Sequence, residues 1–385
     1  MTGPRTKILA ASLAGALALV GGAAVASGTP SAPAADAAPA VTPPGPPGFG
    51  VFYVNGVQKP SNWSDNRGYK DNEPGDLPTS GLTTTKESAR VTYLRPENPT
   101  RPNIVLVPGY GLAADIWMTT PDLRQGWAQQ LYDAGYSVYV ISPPDRGESM
   151  EIDAINKCKF GVVPKSRCKG KAPHAYYGQI GHASLEPSWK TWRFGPEYKV
   201  PFADSQFPSL PFQENYVEQF GASFVPYLGT SDIAMVDNVK MNDLTSSSLT
   251  SLLKEIGPSV VVIHSAAGTA GYEVAETDPA MVEAVVAIET TMCPKDEDGV
   301  SPLADMPFLG VWGDHITPKM PGGHYERRES CEKMAASINR TGRAPARVIS
   351  LPDEGIKGNS HMMMQDKNNA QVLGLITSWL TEQGI

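Results

Sequence analysis

The sequence predicts an α/β fold, a doubly wound and mostly parallel sheet, on three observations. Short Val/Ile-rich runs recur along the chain, of the kind that strands buried on both faces require. Stretches with helical periodicity separate them, so strand and helix alternate. One long stretch after the fourth run breaks the alternation and reads as an insertion.

FGVFYVNG and SARVTYLRP supply the first strands, and NIVLVPGYG (103–111) the third. A helix is expected next, with Thr120 as cap, Pro121 in its first turn, Leu123, Trp127 and Leu131 recurring every four residues, and Gly135 at its end. YSVYVISPPDRGES is the fourth strand with its loop. The aromatic-, Pro- and Gly-rich stretch at about 150–245 then reads as a lid-like insertion over the strand ends, where such sheets bind ligands. Leu249, Leu252, Leu253 and Ile256 form an apolar helical stripe closed by Gly257, which delivers the chain into SVVVIHSAAG (259–268). VEAVVAIE (282–289), PFLGVWGDH (307–315) and ARVISLPDEG (346–355) repeat the strand-and-loop pattern. A last helix, about 368–383, would bury Val372, Leu375, Ile376, Trp379 and Leu380.

Residues 1–26 read as a secretory signal peptide: Arg5 and Lys7, an apolar core from Ile8 to Val20, then an Ala24-Val25-Ala26 cleavage pattern. Residues 27–47 are an Ala/Pro-rich linker, and 48–385 the folded domain. The protein is therefore expected to be extracellular, with no membrane partner after cleavage. Residues 1–26 hold two of the 32 basic residues and none of the 40 acidic ones, so their loss takes the net charge from −8 to −10. That balance disfavours nucleic acid and anionic lipid as partners. Export permits disulfides, and the four cysteines pair most simply as Cys158–Cys168 and Cys293–Cys331. No C-x-x-C occurs and the six histidines do not sit at ligand spacings, so no metal is expected. Oligomeric state leaves no mark in the sequence.

The chemistry-bearing residues lie at strand ends. Ser265 follows VVVI and precedes small residues, the setting of a nucleophile on a tight strand-to-helix turn. The usual G-x-S-x-G frame is broken, however, with Ile263 and Ala267 in the glycine places and Gly268 one place late. His361, in the loop before the final helix, is the candidate base. His174 and His182 lie in the insertion, His324 lies in a Gly/Pro loop, and His264 adjoins Ser265 and should point away from it. Two acids, Glu289 and Asp314, end successive strands, and spacing leaves the choice open. Backbone N–H groups of Tyr110 or Gly111 and of Ala266 could hold an oxyanion. Asp145-Arg146-Gly147 reads as a structural loop.

PGYG, the D-R-G-x-S loop, the strand-borne serine, VWGDH and the late G-N-S-H together resemble the α/β-hydrolase superfamily over about residues 49–385. Within it the chain is similar to a small group of secreted bacterial esterases with two disulfides and a Ser–Glu–His triad. Their elbow reads H-S-x-x-G, their acid precedes a Cys-Pro, and their histidine sits in G-N-S-H-M-x-M-Q-D. The matching positions are His264-Ser265 with Gly268, Glu289 with Cys293-Pro294, and Gly358 to Asp366.

The resemblance implies a serine carboxylesterase with Ser265 as nucleophile, His361 as base and Glu289, rather than Asp314, as acid. It implies Tyr110 and Ala266 as oxyanion donors and no cofactor. The group commonly carries His-Gly in the oxyanion loop, where this chain has Pro108-Gly109-Tyr110. That triplet resembles cutinase-like polyester hydrolases, which keep an intact G-x-S-x-G. A small-molecule ester is thus the expected substrate, a polymeric ester the rival, and a non-catalytic binding protein on the same fold the third reading.

Overall fold

The computed structural model describes residues 43–60, 83–109, 111–144, 146–149, 180–208, 213–228, 235–236, 239–294 and 303–385. The expected signal peptide, most of the expected linker, Tyr110, Asp145, the expected Cys158–Cys168 bridge and much of the expected insertion lie outside the described residues.

All eight apolar runs form strands of one sheet: β1 (Gly48–Val54), β2 (Ala89–Arg95), β3 (Asn103–Val107), β4 (Ser137–Ser142), β5 (Ser259–His264), β6 (Val282–Ile288), β7 (Phe308–Trp312) and β8 (Ala346–Ser350). Their spatial order is 1-2-4-3-5-6-7-8. β2 runs antiparallel to β1 and β4, and every other neighbouring pair is parallel. The chain steps from β3 outward to β4, then returns past β3 to β5. The order therefore reverses between β3 and β5, and a crevice opens at their carboxyl ends.

Seven α-helices are found among the described residues: α1 (Trp127–Asp133), α2 (Leu185–Thr191), α3 (Gln213–Ala222), α4 (Met241–Ile256), α5 (Gly268–Thr277), α6 (His324–Thr341) and α7 (Asn369–Glu382). The strand period of two divides the core between the sheet's faces. Leu106, Val260, Val262, Val286 and Ile288 pack with Trp127 and Leu131 of α1, Val372 and Ile376 of α7, and Trp189 and Phe220 from the segment between β4 and α4. Their neighbours Val107, Val261, Ile263, Val285 and Ala287 pack with Leu249 and Leu253 of α4, Tyr272 of α5 and Ile338 of α6. Burial on both faces is why these strands read as continuous apolar runs.

Two helix readings need correction. α1 starts at Trp127, not near Pro121. The Thr120 hydroxyl accepts the Arg124 N–H at 2.9 Å and closes a turn, while Leu123 is 75% exposed with φ +63°. The backbone here crosses beneath Trp117 and Met118 so closely that a Cβ on Gly126 would lie 2.3 Å from the Trp117 carbonyl. That crossing precedes the helix, and the four-residue spacing of Leu123 with Trp127 is incidental. In α7 it is Leu373 that is buried, whereas Leu375 is only partly so.

Cys293 and Cys331 are joined, tying the segment after β6 to α6. No helix of the described residues is long and apolar enough to cross a membrane. Because this bridge spans 38 residues, replacing both cysteines by alanine should lower unfolding stability by about 2–4 kcal/mol. An earlier midpoint in urea would report the loss.

Candidate active site

Parallel register fixes which strand ends meet. Ile263 of β5 lies opposite Val107 of β3, and His264 opposite Ile288 of β6, so Ser265 emerges between Pro108-Gly109 and Glu289. Ser265 has φ +54° and opens a 3-10 turn, Ser265–Ala267, that runs into α5. A left-handed conformation at a non-glycine residue is strained and persists only where surrounding contacts hold it. Here Gly109 comes so near that a Cβ on it would lie 2.7 Å from the Ser265 Cβ, and the Ser265 carbonyl accepts the Thr291 N–H at 3.0 Å.

The displaced glycines have a steric explanation. A Cβ on Gly271 would sit 2.4 Å from the Ile263 Cγ2, so α5 yields the space that the Ile263 side chain fills. A Cβ on Gly268 would meet Thr291 Oγ1 at 2.6 Å and Thr290 Cβ at 2.8 Å. The small residues that let α5 pack closely have moved from the elbow into the helix.

His361 lies beside this turn. Its Nε2 is 3.0 Å from Ser265 Oγ, and its Nδ1 is 2.7 Å from Glu289 Oε2. Nδ1–H donates to the carboxylate, which leaves Nε2 free to accept from the serine hydroxyl. The loop that carries His361 is built from the motif around it. Asp366 accepts from Ser360 N–H and Oγ–H, both at 2.8 Å, and from Asn359 Nδ2 at 3.0 Å. Burial pushes the Asp366 carboxyl up to about 7. Gln365 donates to the Thr119 carbonyl at 3.0 Å, and Met362, Met363 and Met364 are buried.

Glu289 follows β6 with φ +42° and is fully buried. Its Oε1 accepts the Gly313 N–H at 2.7 Å, and the Arg193 guanidinium pairs with the same oxygen through Nη2. Burial alone would raise the Glu289 pKa. Arg193, followed by the His324 and His361 rings, overcomes this and holds it well below the usual carboxylate range. Burial holds His361 well below the ordinary histidine value against the pull of Glu289, and His264 and His324 add to the lowering. Asp314, the rival acid, accepts the His315 N–H at 2.6 Å and the Gly358 N–H at 2.9 Å, and so caps its own loop.

Three contributors escaped the sequence reading. Arg193 comes from the segment between β4 and α4, and its Nε also donates to the Asp314 carbonyl at 2.7 Å. The neighbouring Trp192 carbonyl accepts the His361 N–H at 2.9 Å. His324 opens α6 and is buried, with Nδ1 3.3 Å from Glu289 Oε2 but out of hydrogen-bond alignment. Its signal was available: Cys331 lies two helical turns on, so the disulfide to Cys293 points the same face of α6 at the Glu289 segment. His264 donates from Nε2 to the His361 carbonyl at 3.1 Å, and burial lowers its pKa to about 4.

Ala266, the proposed oxyanion donor next to the serine, is half-buried in the 3-10 turn. Tyr110 is outside the described residues, but Pro108 before it is anchored through its carbonyl, which accepts from Arg146 Nη1 at 2.6 Å. Glu289, His324 and His361 each bring a ligand atom within 4.8 Å of the others, a convergence the histidine spacings did not announce. Arg193 already supplies the positive charge at that carboxylate, and the two imidazole rings complete its buried polar surroundings. Asp204, Asp314 and His315 form a second, more exposed group, in which His315 Nε2 bonds Asp204 at 2.9 Å.

No family model matches the sequence. Among solved structures, one described as a novel bacterial esterase is 32% identical, with a TM-score of 0.71, over 91% of this chain and 99% of that one. A probable secreted lipase, phiG, from a fungal species (strain ATCC 74256), is 25% identical over 341 residues, 75% of this chain and 84% of that protein.

Gly271→Ala should cost about 1–3 kcal/mol by overpacking against Ile263. Combined with Ile263→Ala, it should cost less than the two single changes added, because each relieves the other. Thermal or urea melts of the four proteins close that cycle.

Proposed function

The chain belongs to the α/β-hydrolase superfamily, and from that premise we propose that it hydrolyses carboxylic esters as a secreted serine esterase. The observation that carries this reading is the line from Ser265 Oγ through His361 to Glu289, 3.0 Å and 2.7 Å long, with the serine held at positive φ. Ser265 Oγ attacks the ester carbonyl carbon while its proton passes to His361 Nε2. The imidazolium so formed is oriented and stabilised by Glu289. The carbonyl oxygen, now anionic, accepts N–H groups from Ala266 and from Tyr110. Collapse of this intermediate expels the alcohol, which takes the proton from Nε2. Water, deprotonated by the same nitrogen, then cleaves the acyl-enzyme and restores Ser265.

Export is supported by the N-terminal pattern, the Cys293–Cys331 bridge and the likeness to a relative described as secreted. A small ester fits better than a polymer. Ser265 is only half-exposed, and the inserted segment stands beside the triad, with the Trp192 ring 6.1 Å from His361 and Phe224 5.4 Å from Trp192. Hydrolysis of short p-nitrophenyl esters with polyester film left intact is the expected outcome.

Ser265→Ala should abolish turnover, by roughly 10^6-fold in kcat, and an active variant would sink the mechanism. Glu289→Gln should cost about 10^4-fold, whereas Asp314→Asn should leave kcat within a few fold and show its effect as a lower melting temperature. His361 works as a base only when neutral. Because its pKa lies below the ordinary histidine value, kcat/KM should hold into mildly acidic solution and fall only below the usual histidine range. A pH–rate profile reads this directly.

A further inference from the structure

Arg193 stands outside the Ser–His–Glu relay yet touches its far end. It is buried, it has φ +63°, and it lies in the inserted segment, 96 residues before the carboxylate that it pairs with. Its guanidinium makes two directed contacts, Nη2 on Glu289 Oε1 and Nε on the Asp314 carbonyl at 2.7 Å. The fork therefore spans the loops after β6 and β7. One residue back, the Trp192 carbonyl takes the His361 N–H at 2.9 Å. Two adjacent residues of the insertion thus hold the acid and the base in place.

We propose that Arg193 is a positioning residue of the reaction: it keeps Glu289 ionised and turned so that Oε2 faces His361, and it makes the inserted segment part of the catalytic framework. This inference rests on the esterase reading above. Lysine would preserve the charge but not the fork, since an ammonium cannot serve both contacts with one planar group. A neutral residue would leave a buried carboxylate without its permanent counter-charge.

The other charged or titratable groups around Glu289 cannot take over. Burial lowers the pKa of His324 on α6, and Arg327 on the same helix couples to Glu289 through charge without a hydrogen bond. His361 is the reacting base. His264 is buried and neutral, and Asp366, a carboxyl, offers no positive charge in either of its forms. Arg146 is committed to the Pro108 carbonyl. Loss of the Arg193 charge favours protonation of His361 and of Glu289 alike, so either route moves the acid limb of the rate profile to higher pH.

The test compares wild type, Arg193→Gln, Arg193→Lys and Ser265→Ala on one p-nitrophenyl ester across pH, with thermal melts to establish folding. Arg193→Gln is expected to lower kcat about 10–100-fold, with KM within threefold and the acid limb moved up by about one pH unit. Arg193→Lys is expected to lower kcat several-fold while the limb stays at its wild-type position. If Arg193→Gln does not fold, the lysine variant decides: unchanged kcat or a displaced limb overturns the proposal. A folded Arg193→Gln with unaltered kcat, or with reduced kcat and an unmoved limb, also overturns it, the latter marking a merely structural role. A wild type as slow as Ser265→Ala overturns the esterase reading and this inference together. An active wild type with an indifferent Arg193→Gln overturns this inference alone.

Discussion

A carboxylate taken fully out of water has to be neutralised where it stands, and Glu289 imposes that demand on the whole carboxyl edge of the sheet. Desolvating such an ion costs several kcal/mol unless close partners repay it. Distant parts of the chain supply them: Arg193 from the segment between β4 and α4, Gly313 after β7, and His361 from the loop before α7. Gly313 is glycine for the same reason, since a Cβ there would lie 2.9 Å from Glu289 Oε1 and 2.6 Å from the Asn359 carbonyl. The electrostatic outcome is a compromise. With Arg193 already balancing the acid, a proton on His361 meets a site close to neutral, which keeps the base available but makes it weaker.

The sheet converts local patterns into this arrangement. Each central strand alternates its side chains between two apolar layers, so successive residues past its end aim at opposite faces. His264 therefore turns toward Trp117, 6.2 Å away between ring centres, while Ile263 turns toward α5. Ser265, at the end of the ladder, is free to adopt the positive φ that no residue within the strand could take. Glu289 repeats the device one strand over, with the same sign of φ.

The central strands were legible because burial on both faces leaves a continuous apolar run that little else produces, and the edge strand β1 because Phe49, Val51 and Tyr53 alternate outward along it. α4 was legible because Leu249, Leu252, Leu253 and Ile256 all meet the sheet, and all are buried. The start of α1 was not, because a tertiary crossing beneath Trp117 outranks a cap-like threonine and a proline. At the site, Ser265, Glu289 and His361 could be singled out as strand-end and loop residues, and family likeness chose between the acids. Arg193 and His324 could not. Arg193 sits in TWRFGP, where no periodicity forecasts which side chain will turn inward, and its partner is 96 residues away. His324 looked like a loop residue because Gly322 and Gly323 precede it, though both take positive φ just before the helix begins.

The exchange between Ile263 and Gly271 bears on how this chain can change over time. A standard elbow places its small residue on the strand and permits a larger one on the helix, whereas here the two are reversed. Neither single replacement leads from one state to the other without loss: glycine at 263 alone empties a buried volume, and a larger residue at 271 alone collides with the isoleucine. The two solutions are therefore separated by a valley that only paired replacement crosses. The side chain at one position thus sets what the other can accept, and the two behave as a single packing unit shared by strand and helix.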